Sequence, residues 1–150
     1  MLTTKQLENF DPERIIHVFD TETHGLQQST DPIRSIAMVS GTLKHGIHHK
    51  LRLLIHTGKI SNPEAYAVHK IPDDQNGGIS FEKAMMIMSS IISEDTDSTE
   101  IIVAQNIHFD LNMINADCRR NRIKLPPIWT CHTHRHADTI KIAKEKFPEQ

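Results

Sequence analysis

Two acidic residues, Asp20 and Glu22, end an apolar run in the segment VFDTET. The run, from Ile15 to Phe19, predicts a buried strand. Because side chains alternate along a strand, Asp20 and Glu22 would project from the same face, close together. Two such carboxylates resist ionisation without a cation, and oxygen ligands of this kind suit Mg²⁺ or Mn²⁺. The residues leave two interpretations open: a divalent metal site, or two solvated acids at the start of a loop.

A third acid, Asp110, follows a second apolar segment, IIVAQN. This segment predicts another short buried strand, and a helix is expected from Asp110 to about Arg122. In an open α/β sheet, functional sites assemble at strand ends, which favours a position for Asp110 near Asp20. The alternative is that Asp110 only interacts with the dipole at the start of its helix.

The elements that would position these acids form one α/β domain. Three strands in succession predict an antiparallel meander in a mixed sheet, with helices after it. Asn62 followed by Pro63 predicts the start of a short helix, and Ser80 the cap of a longer one. The predicted strands are 15–19, 33–39, 48–56 and 101–106, and the predicted helices are a short one from 63, then 81–93, 110–122 and 138–146.

Composition narrows the class of protein. A chain of 150 residues with 37% hydrophobic and 24% charged residues predicts one globular domain and excludes a disordered chain. No apolar run approaches the roughly 20 residues of a membrane span, and the polar N-terminus is not a signal peptide. Two cysteines, Cys118 and Cys131, predict free thiols in a cytoplasmic protein. The net charge of −2 neither indicates nor excludes an enzyme that binds a few nucleotides.

Four segments carry a resemblance to a known family. They are, in chain order, FDTETHGL, NPEAYAVHKI, NIHFD and ADTIKIAKEKFP. Together they resemble the DEDD family of 3′–5′ exonucleases, whose motifs include Asp-x-Glu-Thr and Asn-x-x-Phe-Asp. The second segment is similar to the branch that contains the proofreading epsilon subunit of bacterial replicative DNA polymerase. The resemblance covers about Ile15 to Pro148.

This resemblance implies an RNase H-like fold and hydrolysis of the terminal phosphodiester at a 3′ end, with release of nucleoside 5′-monophosphates. Two Mg²⁺ or Mn²⁺ ions are implied, as in other two-metal phosphoryl displacements. By similarity, Asp20 would contact both metals, Glu22 the metal that activates water, and Asp110 the other. The implied substrate is a single-stranded or frayed 3′ end, of DNA in preference to RNA. A polymerase subunit is a candidate partner, and no membrane is involved.

Four further residues match substrate-contacting positions of the family: Thr23, Glu64, His69 and Phe109. Thr23 and the backbone after it would meet the 3′-terminal nucleotide, and Phe109 would stack on a base. For His69 the alternative is a half-buried side chain at a helix end. For Phe109 the alternative is a place in the hydrophobic core.

The sequence departs from the family at the third motif, His-x-x-x-x-Asp or Tyr-x-x-x-Asp, which supplies the general base and a fourth carboxylate. The segment from His134 to Asp138 has the spacing of the second form. However, Asp138 and Thr139 also match the start of a different helix of the family. We therefore expect the C-terminal helix to be missing, which would expose an apolar part of the sheet.

Two main functions follow from these observations. The first is a metal-dependent 3′–5′ exonuclease. The second is an inactive domain of the same fold that serves as a binding module, which the missing third motif favours. A metal-binding α/β protein that is not a nuclease is a third interpretation.

Overall fold

The computed structural model describes residues 1–73, 77–130 and 133–149. It confirms an α/β fold with a mixed sheet of five strands in the order β3-β2-β1-β4-β5. The strands are β1 (Ile16–Thr23), β2 (Ile33–Thr42), β3 (Gly46–Leu54), β4 (Ile101–Ala104) and β5 (His136–Asp138). The helices are α1 (Thr4–Glu8), α2 (Pro63–His69), α3 (Phe81–Ile91), α4 (Ile107–Arg120) and α5 (Thr139–Lys146), with a 3₁₀ turn at Pro127–Trp129.

Strand β1 has different neighbours along its two halves. It pairs with β2 in antiparallel register along its whole length, and β2 pairs with β3 in the predicted meander. Its parallel pairing with β4 covers only Ile16 to Val18. The second half of β1, which holds the acidic residues, therefore extends past β4 and lies beside the start of α4.

The main hydrophobic core lies between one face of the sheet and helices α3 and α4. The predicted apolar stripe of α3 is confirmed, and Ser80 caps this helix as expected. Trp129 packs edge-on against Phe19, with ring centroids 5.5 Å apart. The stripe and the sheet residues it meets are all buried: Phe19, Ile36, Met38, Phe81, Ala84, Met85, Met88 and Ile92.

The opposite face of the sheet is covered at one end and open at the other. A smaller apolar cluster that includes Leu2, Ile101 and Ala137 covers the β4–β5 end. On the meander, Val18 is 46% exposed and Leu54 is 39% exposed. The strand register places Asp20 and Arg52 on either side of Ala37 on this open face.

The sequence analysis missed two short elements, α1 and β5. Helix α1 has only five residues and is held by a capping box between Thr3 and Gln6. Strand β5 has three residues and pairs in parallel with β4. Its three residues, His136–Asp138, are too few and too polar to show a strand pattern in the sequence, although His136 is fully buried.

Helix α4 begins at Ile107, three residues before the predicted start at Asp110, and the prediction of that boundary was wrong. Asn106 precedes the helix in the left-handed conformation, with φ of 55°, and its side chain makes no capping bond. The cap comes instead from Asp138, whose carboxylate accepts hydrogen bonds from the backbone N–H of Asn106 at 3.1 Å and of Ile107 at 3.2 Å.

Asp138 also caps its own helix, α5, at the start that the sequence predicted for it. Its Oδ1 accepts a hydrogen bond from the Ile140 backbone N–H at 2.9 Å. The carboxylate therefore serves three backbone donors at the starts of α4 and α5. This geometry favours a structural role for Asp138 over a catalytic one.

Two expectations from composition concern membranes and cysteines. No helix among the described residues is both long and apolar enough to span a bilayer. Cys118 is a free, buried thiol, and burial raises its pKa to about 11. Cys131 lies outside the described residues.

Replacement of Asp138 by alanine tests the double cap. Asp138→Ala leaves the N–H groups at the starts of α4 and α5 without an acceptor. We expect the free energy of unfolding in urea to fall by about 2–3 kcal/mol. Asp97→Ala is the control, because Asp97 is exposed on a loop, and its effect should stay within about 0.5 kcal/mol. Equal stability of the two variants would contradict the capping role.

Candidate active site

Asp20 and Glu22 lie within strand β1, which continues to Thr23, and so they are not loop residues. Both project to one face of the strand, as predicted from alternation. Burial raises the pKa of the Asp20 carboxyl, against the opposing effect of hydrogen bonds with the Thr21 backbone and the Glu22 carboxyl. Burial and then the negative charge of Asp20 raise the pKa of Glu22, while Arg52 opposes them. The structure therefore brings these two acids together as mutually repelling groups.

Asp110 reaches the same end of β1 from the first turn of α4. Its Oδ1 accepts hydrogen bonds from the Thr21 backbone N–H at 3.1 Å and from the Thr21 hydroxyl at 2.5 Å. The residue is only 3% exposed. The pKa of the Asp110 carboxyl is raised to about 6 in all, chiefly by burial and then by the charge of Asp20, against the hydrogen bonds from Thr21.

The bonds from Thr21 explain how α4 is positioned. Because β4 ends before this point, no neighbouring strand accepts the Thr21 N–H. A buried N–H without an acceptor is costly, and the Asp110 carboxylate supplies one. Asp110, one of the three predicted metal ligands, thus joins strand β1 to helix α4.

The donor chemistry of these three carboxylates fits a divalent cation. Oxygen-only ligands of high negative charge are those that Mg²⁺ and Mn²⁺ prefer. Among the residues that the structure describes, no three Asp, Glu, His or Cys side chains already converge as a group that could hold a metal ion.

A cavity of about 420 Å³ opens beside Glu22. It lies between the end of β1, the loop after it and helix α2. Leu26 and Val68, exposed by 80% and 76%, give it an apolar rim. All four residues that match substrate-contacting positions line this cavity together with Glu22: Thr23, Glu64, His69 and Phe109.

The loop after β1 is shaped by close contacts at Gly25. The Thr23 hydroxyl donates to the Gly25 carbonyl at 2.5 Å. A Cβ at Gly25 would lie 2.2 Å from Asp31 Oδ2 and 2.4 Å from Asn62 Nδ2. Only glycine allows the loop and the start of α2 to approach this closely, and the approach forms one wall of the cavity.

His69 lies at the cavity wall with both ring nitrogens turned to protein partners. Its Nδ1 accepts a hydrogen bond from the Ile71 backbone N–H at 2.8 Å, and its Nε2 lies 3.1 Å from Ser61 Oγ. Burial lowers the pKa of His69. Ser61 was not among the predicted site residues, because only the folding of the chain brings it close to His69.

Phe109 has the place beside the hydrophobic core that was one of its two interpretations, and its stacking on a base stays a prediction. It lines the cavity, and its half-buried ring also packs against the main core. Leu26 and Val68 were missed because a single apolar residue in a loop or on a helix carries no sequence signal of a binding role.

Comparison with solved structures shows the same fold in exonuclease I. A product-bound structure of exonuclease I aligns with a TM-score of 0.72 and 17% identity, over 91% of this chain and 33% of that one. E. coli exonuclease I in complex with a dT13 oligonucleotide aligns with a TM-score of 0.70 and 16% identity, over 91% of this chain and 31% of that one. The zinc-bound form of the E. coli exonuclease I–ssDNA complex gives the same four values. The chain thus spans about a third of the length of these proteins.

Comparison by sequence alone gives the family. A search of curated proteins found none that matches the chain. The family model described as Exonuclease (RNase_T) matches residues 17–150, which include all the acidic residues discussed above. The chain therefore belongs to the exonuclease family.

Proposed function

We propose that this chain is the catalytic part of a metal-dependent 3′–5′ exonuclease similar to the epsilon branch. The observation that carries the proposal is that Asp20, Glu22 and Asp110 affect one another at the end of β1, where Glu22 lines a cavity with an apolar rim. Three carboxylates with raised pKa values are a costly arrangement, and perturbed acids in a cleft are typical of catalytic sites. Membership of the exonuclease family supports the same reaction class.

Each acid has a proposed part in the reaction. Two Mg²⁺ or Mn²⁺ ions, when bound, would activate water and stabilise the charge that develops on the phosphate. Asp20 would hold both ions, because its charge already affects the carboxyls of Glu22 and Asp110. Glu22 would hold the ion that activates water, and Asp110, fixed by Thr21, would hold the other.

The cavity is the proposed site of the 3′-terminal nucleotide. Its apolar rim, formed by Leu26, Val68 and Phe109, offers surfaces against which a base can stack or pack. Thr23 and Glu64 would contact the sugar end of the nucleotide. The similar fold of exonuclease I with bound dT13 supports a single-stranded or frayed DNA end as the substrate, in preference to RNA. A polymerase subunit as partner and a cytoplasmic location complete the proposal.

The general base and the fourth carboxylate are assigned to no residue of this chain. Asp138, which has the required spacing from His134, is committed to three backbone donors. The open half of the sheet face adjoins Asp20 and exposes Val18 and Leu54. We propose that the general base and the fourth carboxylate reach Asp20 across this open face.

The second candidate function is an inactive binding module of the same fold. The specific observation in its favour is that the described acids do not yet converge as a metal site. It differs from the first proposal in what Asp20 does. In a binding module, removal of Asp20 leaves partner affinity unchanged.

An assay on 5′-labelled oligonucleotides tests the exonuclease. The chain should shorten single-stranded DNA from the 3′ end in Mn²⁺, slowly because none of its residues is assigned as the general base, and EDTA should abolish the ladder. Asp20→Ala should lower the rate by at least about 10³-fold, because the shared metal ligand is lost. Asp97→Ala, which changes an exposed acid elsewhere, should retain the rate.

Two outcomes would contradict this assignment. A ladder that persists in Asp20→Ala would point to a contaminating nuclease or to different catalytic residues. No degradation of DNA or RNA by the wild type would refute the activity of this chain and leave the binding module. RNA degraded faster than DNA would overturn only the preference for DNA.

The raised pKa of Asp110 predicts a pH-dependent stability of the metal-free protein. The folded-state pKa of about 6 exceeds the unfolded value near 4, so the folded state binds the proton more tightly. The contribution of Asp110 to the free energy of unfolding in EDTA should therefore be largest below pH 4. It should fall by about 2–3 kcal/mol as the pH rises to 7. Urea unfolding between pH 4 and 7.5 measures this change.

Asp110→Asn is the matched variant, since its amide oxygen can still accept from Thr21. We expect the change in the free energy of unfolding between pH 4 and 7 to differ between wild type and this variant by about the same 2–3 kcal/mol. Added Mn²⁺ should stabilise the wild type at pH 7 and have little effect on the variant. The same pH dependence in both proteins, or equal Mn²⁺ effects in both, would argue against a buried, metal-binding carboxyl at Asp110.

A further inference from the structure

A second polar cluster lies behind the cavity, centred on the Ser61 side chain. Ser61 Oγ is 2.8 Å from His24 Nδ1, 3.1 Å from His69 Nε2 and 3.1 Å from Asp73 Oδ1. Ser61 and His24 are both buried. The four residues come from the loop after β1, the segment before α2, the end of α2 and the segment after it. One hydroxyl thus joins all the chain segments that surround α2.

The hydrogen-bond partners fix the proton on His69. Its Nδ1 accepts from the Ile71 N–H, so the neutral ring carries its proton on Nε2 and donates it to Ser61 Oγ. Ser61 Oγ in turn donates its own proton to Asp73 Oδ1, and the Ser61 backbone N–H donates to Asp73 Oδ2 at 3.1 Å. Every donor in this chain of bonds has one acceptor.

His24 completes the cluster in the same way. Its Nε2 lies 2.6 Å from the Thr57 hydroxyl, which can donate to it, and its Nδ1–H can then donate to the second lone pair of Ser61 Oγ. The backbone adds one more link, because the Asn62 N–H donates to the His24 carbonyl at 2.9 Å. The residue directly after Thr23 is thus tied to the residues that begin α2.

The far end of the cluster is anchored on the sheet. Arg34 of strand β2 is 3% exposed and donates to the carbonyls of Ile55 at 2.6 Å and Pro72 at 2.9 Å. Pro72 precedes Asp73, so the acceptor of the Ser61 proton is held by a buried arginine. The cluster is therefore fixed to the rigid meander and not only to other loops.

Helix α2 depends on these bonds because apolar packing does not hold it. None of its seven residues is buried. Yet four of them, Glu64, Ala65, Val68 and His69, form one wall of the cavity. A surface helix without a buried face is not held in place by apolar packing. Directional hydrogen bonds can fix the position of such a helix instead.

We infer that Ser61, with His24, His69 and Asp73, is a positioning network that holds helix α2 against the end of β1 and so sets the width of the nucleotide cavity. The inference rests on the proposed function in taking this cavity as the substrate site. In this role Ser61 touches no substrate and no metal. His69 acts on the cavity through Ser61, in addition to any contact that its ring makes with a nucleotide.

Steady-state kinetics on a 5′-labelled oligothymidylate test the network. Ser61→Ala removes the shared hydroxyl and leaves Asp20, Glu22 and Asp110 unchanged, so KM should rise about tenfold, equivalent to about 1.4 kcal/mol, while kcat stays within about twofold. Ser90→Ala, an exposed serine on α3, is the control and should change neither constant. Thermal unfolding of each variant verifies that it remains folded.

Two substitutions of His69 separate the network from direct contact with substrate. Gln places an amide nitrogen where Nε2 lies and can still donate to Ser61, whereas Asn places an acceptor where Nδ1 lies and cannot reach Ser61. His69→Asn should therefore raise KM more than His69→Gln does. Equal effects of the two variants would mean that His69 acts by contact alone and would overturn its place in the network.

Hydrogen exchange of the α2 amides gives a readout that needs no catalysis. Exchange across residues 62–70 should accelerate in Ser61→Ala and His69→Asn, and less in His69→Gln. If the wild type hydrolyses nothing, the proposed function fails, and exchange together with oligothymidylate binding measured by fluorescence anisotropy then decides the inference. Unchanged exchange in Ser61→Ala, or unchanged KM and binding affinity, would overturn it.

Discussion

The hydrogen bonds from Thr21 to Asp110 are the contact on which the rest of the site depends. They join the part of β1 that extends past β4 to the first turn of α4. Once this turn is fixed, Phe109 must lie at the cavity, because it directly precedes Asp110. The start of the helix then needs a cap at a place where Asn106 supplies none, and Asp138 of β5 provides it. One contact thus sets the position of a helix, an aromatic ring and a neighbouring strand end.

Because side chains alternate along β1, its last four residues face two opposite sides of the sheet. Asp20 and Glu22 face outward and form the acidic surface. Thr21 and Thr23 are buried on the other side, where Thr21 binds Asp110 and Thr23 closes the turn at Gly25. The strand therefore holds the chemical groups and the structure that supports them in successive residues. A register shift of one residue would exchange the two sets and destroy both.

The sequence predicted those features that local patterns encode. The apolar stripe of α3, the caps at Asn62 and Ser80 and the meander depend on nearby residues, and all were confirmed. Short elements such as β5 were missed because three residues cannot show a period. The acids were selected by type and spacing, but the Ser61 cluster could not be, since its members lie up to 49 positions apart, from His24 to Asp73, and meet only after folding. Long-range polar contacts have no signature in a single sequence.

The choice of aspartate at position 110 separates the two proposed functions on physical grounds. Acceptance of hydrogen bonds from Thr21 requires only an oxygen, and an asparagine amide would supply one without a buried charge. The carboxylate instead has a pKa of about 6, so at neutral pH it is ionised at a cost in stability that a neutral amide avoids. A binding module gains nothing from this cost. A cation that contacts Asp110 and Asp20 would remove it, and this balance favours the metal-dependent enzyme over a scaffold of the same fold.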